Sequence, residues 1–212
     1  MLRVYNYMAS GVLLTGIVAM IVASTPALYQ PIFGTPLKWV VMFAPLAFVF
    51  FFSFRIDRMS TSAAQASYWA FAAIMGLSLA SIFLVFTGMS IARTFFIAAS
   101  MFAAMSLWGY TTKRDLSKFG SFLIMGLVGV LIASLVNIFL GSTMLQMIVS
   151  IVGVLVFTGL TAWDTQNIKS QYLENRGHEA LGKIAVFGAL SLYLNFVNIF
   201  QLLLSLTGER EG

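Results

Sequence analysis

Residues 141–206 read GSTMLQMIVSIVGVLVFTGLTAWDTQNIKSQYLENRGHEALGKIAVFGALSLYLNFVNIFQLLLSL. Two apolar runs, 144–163 and 184–206, flank the longest polar stretch of the chain. Each is close to the roughly 20 residues that a helix needs to cross a bilayer. Asp164 stands at the inner edge of the first run, and Ser191, Asn195, Asn198 and Ser205 recur along the second at i, i+4, i+7 and i+14, with Leu202 in the gap. At 3.6 residues per turn these share one face. Polar side chains in lipid must find partners, so that face is expected to look into a helix bundle.

Working outward, the same measure gives seven spans: 8–29, 37–54, 67–86, 93–111, 119–140, 144–163 and 184–206. Composition agrees. The 212 residues are 60% apolar and 9% charged, with a mean hydropathy of +0.94. A soluble domain is nearer half apolar and a quarter charged. Pro45, inside the second span, is expected to kink it unless neighbouring groups satisfy the freed carbonyl. Arg3 ahead of an apolar run resembles a secretory signal, but cleavage near Ser24 would release only further spans, so an uncleaved first helix is expected.

With the N-terminus inside, the inner segments carry Arg3, Arg55, Arg58, Lys113, Arg114, Lys118, Lys169, Arg176 and Lys183, and the outer ones Lys38, Arg93 and Arg210. The positive-inside rule therefore places the N-terminus in the cytoplasm. Seven spans then put the C-terminus outside; a re-entrant last segment would return it. The scattered basic residues fit loops and not a nucleic-acid patch. Small residues repeat every four positions at Gly11, Thr15, Ala19 and Ala23, and again at Ala72, Gly76 and Ala80, as expected of helices whose backbones approach closely.

Enzyme signatures are missing. The absence of cysteine excludes thiolate chemistry and disulfides. His178-Glu179 lacks the second histidine of a zinc-protease helix, and His178 is the only histidine. Asp57, Asp115 and Asp164 all fall near inner span ends, whereas an aspartyl protease needs two carboxylates sharing a proton. No enzyme activity is expected. Asp164 itself has two readings: an exposed interfacial carboxylate paired with a cation such as Lys169, or a carboxylate facing the bundle interior on an ion path. Arg55, ending the second span, is either a positive-inside anchor or a sideways partner for a carboxylate at the same depth, as Asp164 is. Asp115 and Ser117 read as loop and helix-cap residues.

The runs Trp163-Asp164-Thr165-Gln166-Asn167-Ile168-Lys169 and Ala189-Leu190-Ser191-Leu192-Tyr193-Leu194-Asn195-Phe196-Val197-Asn198-Ile199-Phe200 resemble the signature of the Bax inhibitor-1 family. Thr111-Thr112-Lys113-Arg114-Asp115-Leu116 and Asn137-Ile138-Phe139 also match, and the resemblance covers almost the whole chain. It implies an all-α integral membrane protein: one domain over 1–212, with seven transmembrane helices, the last central and wrapped by the other six. With no targeting extension, a bacterial member in the inner membrane is expected.

The function that the resemblance implies is a pH-sensitive calcium leak channel. Its sensor is a pair of aspartates in the positions of Asp164 and Asn195, and an arginine in the position of Arg55 pairs with the first. Residue 195 is asparagine here, which leaves one carboxylate and one amide. On this reading Asp164, Asn195 and Arg55 form the gate, Ser191 and Asn198 line the path, and Asp164 offers a weak calcium site. Calcium takes six to eight oxygen ligands, several usually carboxylate, so no cofactor is expected beyond transient calcium. The partners expected are the lipid bilayer and calcium or other cations, with no nucleic acid. The alternative is a non-channel regulator that binds a membrane protease or quality-control complex through the N-terminus or the 164–183 loop. A proton-coupled exchanger is a third reading, since one intramembrane carboxylate suffices for it.

Overall fold

The computed structural model describes residues 1–55, 59–175 and 177–211. Asp57, Arg58 and Arg176, read above as inner charges, lie outside the described residues, as do Ile56, Gly212 and the side chains of Ser53 and His178. Every regular element among the described residues is an α-helix: α1 Leu2–Ser24, α2 Pro26–Phe33, α3 Leu37–Arg55, α4 Thr61–Val85, α5 Gly88–Thr111, α6 Ser117–Leu140, α7 Thr143–Glu174 and α8 His178–Thr207. Six are long and apolar enough to span a bilayer, and α2 with α3, bent by 87° at their break, supplies a seventh. The chain is an all-α membrane protein of seven helical spans.

Two sequence expectations are corrected. The first span starts at Leu2 and stops at Ser24, short of residue 29. Pro26 is the reason: the residue before a proline is pushed out of the α region, and Thr25 is extended at φ −113°, ψ 101°. Proline then suits the first turn of the new helix α2. The second correction concerns the polar stretch 164–183. Helix α7 runs through it to Glu174 and α8 begins at His178, so only 175–177 separate the two helices. In α3 the helix runs on through Pro45.

The chain divides into two compact units. One holds Leu2–Thr87, Gly177–Leu190 and Arg210–Gly212; the other holds Gly88–Arg176 and Ser191–Glu209 with Met1. In the former, α1 packs on α4 through the small residues. Gly11, Thr15, Ala19, Ala72, Gly76 and Ala80 are all buried. The Thr15 hydroxyl donates to the Ala72 carbonyl at 2.8 Å, and a Cβ at Gly76 would stand 2.8 Å from the Thr15 carbonyl oxygen. Close backbone approach of this kind holds helices together where lipid removes the hydrophobic drive between them.

In the latter unit α7 lies against α5 and α6. A Cβ at Gly109 would collide with the Ala162 carbonyl, and one at Gly120 with the Trp163 indole. Phe196 of α8 meets Phe95 and Phe102 of α5 edge-on, with ring centroids 5.4 and 5.8 Å apart. Half of the apolar window of α8 is buried, the largest share of any span. Gly141 ends α6 in the left-handed region at φ 59°, where glycine carries no Cβ penalty. The Ser142 hydroxyl then caps α7 by accepting from the Leu145 N–H at 3.3 Å.

Candidate functional site

The site grows from the C-terminal half of α7, where successive residues of the quoted signature each meet a different group. Trp163 lies over Gly120 of α6. The Asn195 side-chain amide of α8 donates to Asp164 Oδ2 at 2.7 Å. The Thr165 hydroxyl donates to the Thr161 carbonyl at 2.7 Å and lies 2.9 Å from Ser106 Oγ of α5. Gln166 takes both ends of the α5–α6 turn: its Oε1 accepts from the Leu116 N–H at 2.9 Å, and its Nε2 donates to the Arg114 carbonyl at 2.8 Å. Lys169 donates to the Tyr110 carbonyl at 2.8 Å, with its ammonium 4.9 Å from the Tyr110 ring centre.

This geometry pairs Asp164 with Asn195 and not with Lys169. Lys169 is committed to the last turn of α5, where a cation faces the negative end of the helix dipole. Asp164 is half-buried, and its partner is Asn195, which is 5% exposed. A carboxylate accepting from an amide forms a charge-assisted hydrogen bond, stronger than a neutral one. Asp164 Oδ1 accepts no hydrogen bond among the described residues.

The polar stripe of α8 divides. Asn195 points at Asp164, while Asn198 Nδ2 turns back onto the Leu194 carbonyl of its own helix at 2.7 Å. Ser191 is half-buried. Ser205 is exposed, contrary to a face turned wholly inward, and accepts from Gln146 Nε2 at 3.3 Å. Gln146 also accepts from Asn137 Nδ2 at 3.1 Å, and Asn137 Oδ1 accepts from the Ser142 N–H at 3.0 Å. A second polar cluster thus fastens the other end of α7. Arg55 ends α3 in the other unit, exposed, with its guanidinium 5.5 Å from the Phe51 ring centre.

Sequence reading assigned no role to Gln166 beyond its place in the signature and none to Ser106, and of the cations offered as partners for Asp164, Lys169 bonds to Tyr110 instead. The available signal was Trp163, Gln166 and Lys169 recurring every third residue, a stripe inclined across one side of a helix and not a loop. Asp115 lies one residue before Leu116, the N-cap position of α6, and its Oδ1 accepts from the N–H of the first helical residue, Ser117, at 2.9 Å. The Ser117 hydroxyl and N–H together hold its carboxyl below the usual carboxylate range. Among the described residues no three His, Cys, Asp or Glu side chains gather where they could hold a metal ion.

Taken together, a bundle of apolar helices with one amide-paired carboxylate inside it defines a polytopic membrane protein. Comparison with known proteins makes the family plain. The family model described as inhibitor of apoptosis-promoting Bax1 matches residues 1–212, and the chain belongs to the Bax inhibitor-1 family. The chain is 47% identical over 211 residues to an uncharacterised protein of Rickettsia prowazekii, covering 100% of this chain and 89% of the relative. It is 45% identical over 218 residues to a protein of Caulobacter vibrioides, covering 98% and 87%. It is also similar to the inner membrane protein YbhL of Escherichia coli, at 44% identity over 214 residues, covering 100% and 92%.

Proposed function

We propose that this protein is a passive cation leak path of the inner membrane, with calcium as its ion, gated by protonation of Asp164. The observation that carries the reading is the 2.7 Å contact between the Asn195 amide and the Asp164 carboxylate, which ties α8 to α7. The ionised carboxylate accepts that hydrogen bond more strongly than the neutral acid does. Above the pKa of Asp164 the tie favours the closed arrangement; as pH falls through that pKa the tie weakens and the open population grows. A change of about 1.4 kcal/mol in this contact alters the closed-to-open ratio about tenfold.

In this reading Arg55 is the latch that pairs with ionised Asp164, and Ser191 and Asn198 line the path. Asp164 with the oxygen of Asn195 makes at most a weak, transient calcium site, since calcium prefers several carboxylates. In the same reading the excess of basic residues on one set of loops supports a cytoplasmic N-terminus, and seven spans then give a periplasmic C-terminus. No catalytic role is assigned to any residue.

Calcium flux into proteoliposomes, measured against pH for wild type, Asp164→Asn and Asn195→Asp, tests the proposal. Wild-type flux is expected to rise as pH falls, Asp164→Asn to lose the pH response, and Asn195→Asp to shift its midpoint. Identical profiles for all three would remove Asp164 from the mechanism. Zero flux together with a membrane protease recovered in stoichiometric amounts from native membranes would favour the regulator reading instead.

A further inference from the structure

A groove of ≈ 300 Å³ opens at the start of α1, far along the chain from Asp164, and is lined by Arg3, Asn6, Tyr7, Ser10 and Trp69. The first four recur at i, i+3, i+4 and i+7, one face of α1, and Trp69 comes from α4. The floor is rigid. The Tyr68 hydroxyl donates to the Tyr7 carbonyl at 2.8 Å, and the Tyr7 ring lies 6.1 Å from Trp69 and 6.2 Å from Tyr68. Tyr68 is itself fully buried against Gly11.

The polar groups around this floor have no use within the described fold. Arg3 is exposed and makes no ion pair or hydrogen bond among the described residues, and the Asn6 side-chain amide makes none either. Ser10 donates to the Asn6 carbonyl at 2.7 Å, which leaves its oxygen lone pairs and holds it against the same wall. A planar guanidinium fork beside an amide donor matches the oxygens of a phosphate group. Trp and Tyr are the residues whose amphipathic rings sit at headgroup level, and the groove lies at the N-terminal end of α1, a helix long and apolar enough to span a bilayer. Basic pockets between spanning helices are a recurring way to hold anionic lipid headgroups.

We propose that this groove binds the phosphate of an anionic phospholipid, with Arg3 and Asn6 as donors and Tyr7 and Trp69 as the wall against which the glycerol region rests. The proposal does not depend on the leak-channel reading. A free phosphate would present the same oxygens, but only the lipid would also use the apolar surface below the aromatic rings.

The test is native mass spectrometry of the delipidated full-length protein with phosphatidylglycerol, phosphatidylcholine or inorganic phosphate. It is paired with quenching of tryptophan fluorescence by brominated phosphatidylglycerol in wild type and Trp69→Phe. Phosphatidylglycerol is expected to bind about tenfold more tightly than phosphatidylcholine, and Arg3→Gln to remove that preference while Arg93→Gln keeps it. Loss of one charge-assisted hydrogen bond corresponds to about that factor. Trp69→Phe should lose the saturable part of the quenching and retain binding. Equal phosphatidylglycerol binding by wild type and Arg3→Gln would overturn the proposal, as would saturable quenching unchanged in Trp69→Phe. Displacement of the lipid by millimolar inorganic phosphate would overturn the lipid assignment and leave a soluble-anion site.

Discussion

Asn195 of α8 donates its side-chain amide to Asp164 of α7 across 2.7 Å, a direct side-chain bond between the two helices in the C-terminal half of α7. An amide can only donate to, or accept from, this carboxyl group; it adds no charge of its own. The pair therefore has one titrating member, and its strength follows the charge on Asp164 alone. Replacing Asn195 by leucine keeps the side-chain size and removes the donor. Asn195→Leu is expected to raise calcium flux at neutral pH about tenfold, the effect of losing ~1.4 kcal/mol from the closed state. Flux assays in proteoliposomes at matched protein density check this.

Gln166 is the single side chain that holds both the Leu116 N–H and the Arg114 carbonyl. Truncation leaves two backbone groups of the α5–α6 turn without their partners, and each lost hydrogen bond costs about 1 kcal/mol. Gln166→Ala is expected to lower the unfolding midpoint in detergent by several degrees. Loss of pH-dependent flux without a fall in the midpoint would argue that Gln166 acts on gating and not on stability.

Two glycines separate close packing from chance composition. A Cβ at Gly109 would collide with the backbone of Ala162, which cannot yield as a flexible side chain can, whereas Gly129 has nothing within 4 Å. Gly109→Ala is expected to destabilise the protein by about 1–3 kcal/mol through overpacking. Gly129→Ala is expected to be neutral or slightly stabilising, since alanine is the better helix former. Thermal unfolding of the two variants side by side gives the comparison.

Asp115 supplies a pH signature outside the membrane spans. Its hydrogen bonds from Ser117 favour the ionised form and depress its pKa in the folded protein. The stabilisation is therefore present above the unfolded pKa of about 3.9 and is lost as pH falls through the lower folded value. The difference in unfolding midpoint between wild type and Asp115→Ala should be largest at neutral pH and shrink in acid. A difference that grew as pH fell would reverse the assigned sign.

Much of the fold could be read from apolar run length. The C-terminal ends of α4, α5, α6 and α8 and the start of α7 fall within a residue or two of their expected positions, where turn-forming residues such as Gly141 and Ser142 bound the runs. The beginning of the chain was harder. Pro26 stops a helix inside an unbroken apolar run, and hydropathy is blind to that backbone constraint. The polar stretch after Asp164 was read as helix only as far as Ile168 and runs on to Glu174; its residues look like loop, yet they are polar because they bond to the α5–α6 turn and to Tyr110. Asp164 and Asn195 were legible as candidates from helical spacing and family resemblance. Their pairing was legible only through that resemblance, because the two lie 31 residues apart and packing decides which rotamers meet.

Helix α7 is 32 residues long, or about 48 Å at 1.5 Å per residue, against a hydrocarbon core of roughly 30 Å. Counted from Thr143, Asp164 comes about 32 Å along that rod, roughly the thickness of that core. Beyond it the helix carries Gln166 and Lys169, whose polar contacts belong to an aqueous boundary. If Thr143 marks one face of the oily layer, a proton arriving at Asp164 from the other face has no hydrocarbon to cross. The carboxylate would then respond to the acidity of one compartment and be insulated from the other by the whole length of the span. Acidifying the two sides of an oriented membrane should produce unequal responses.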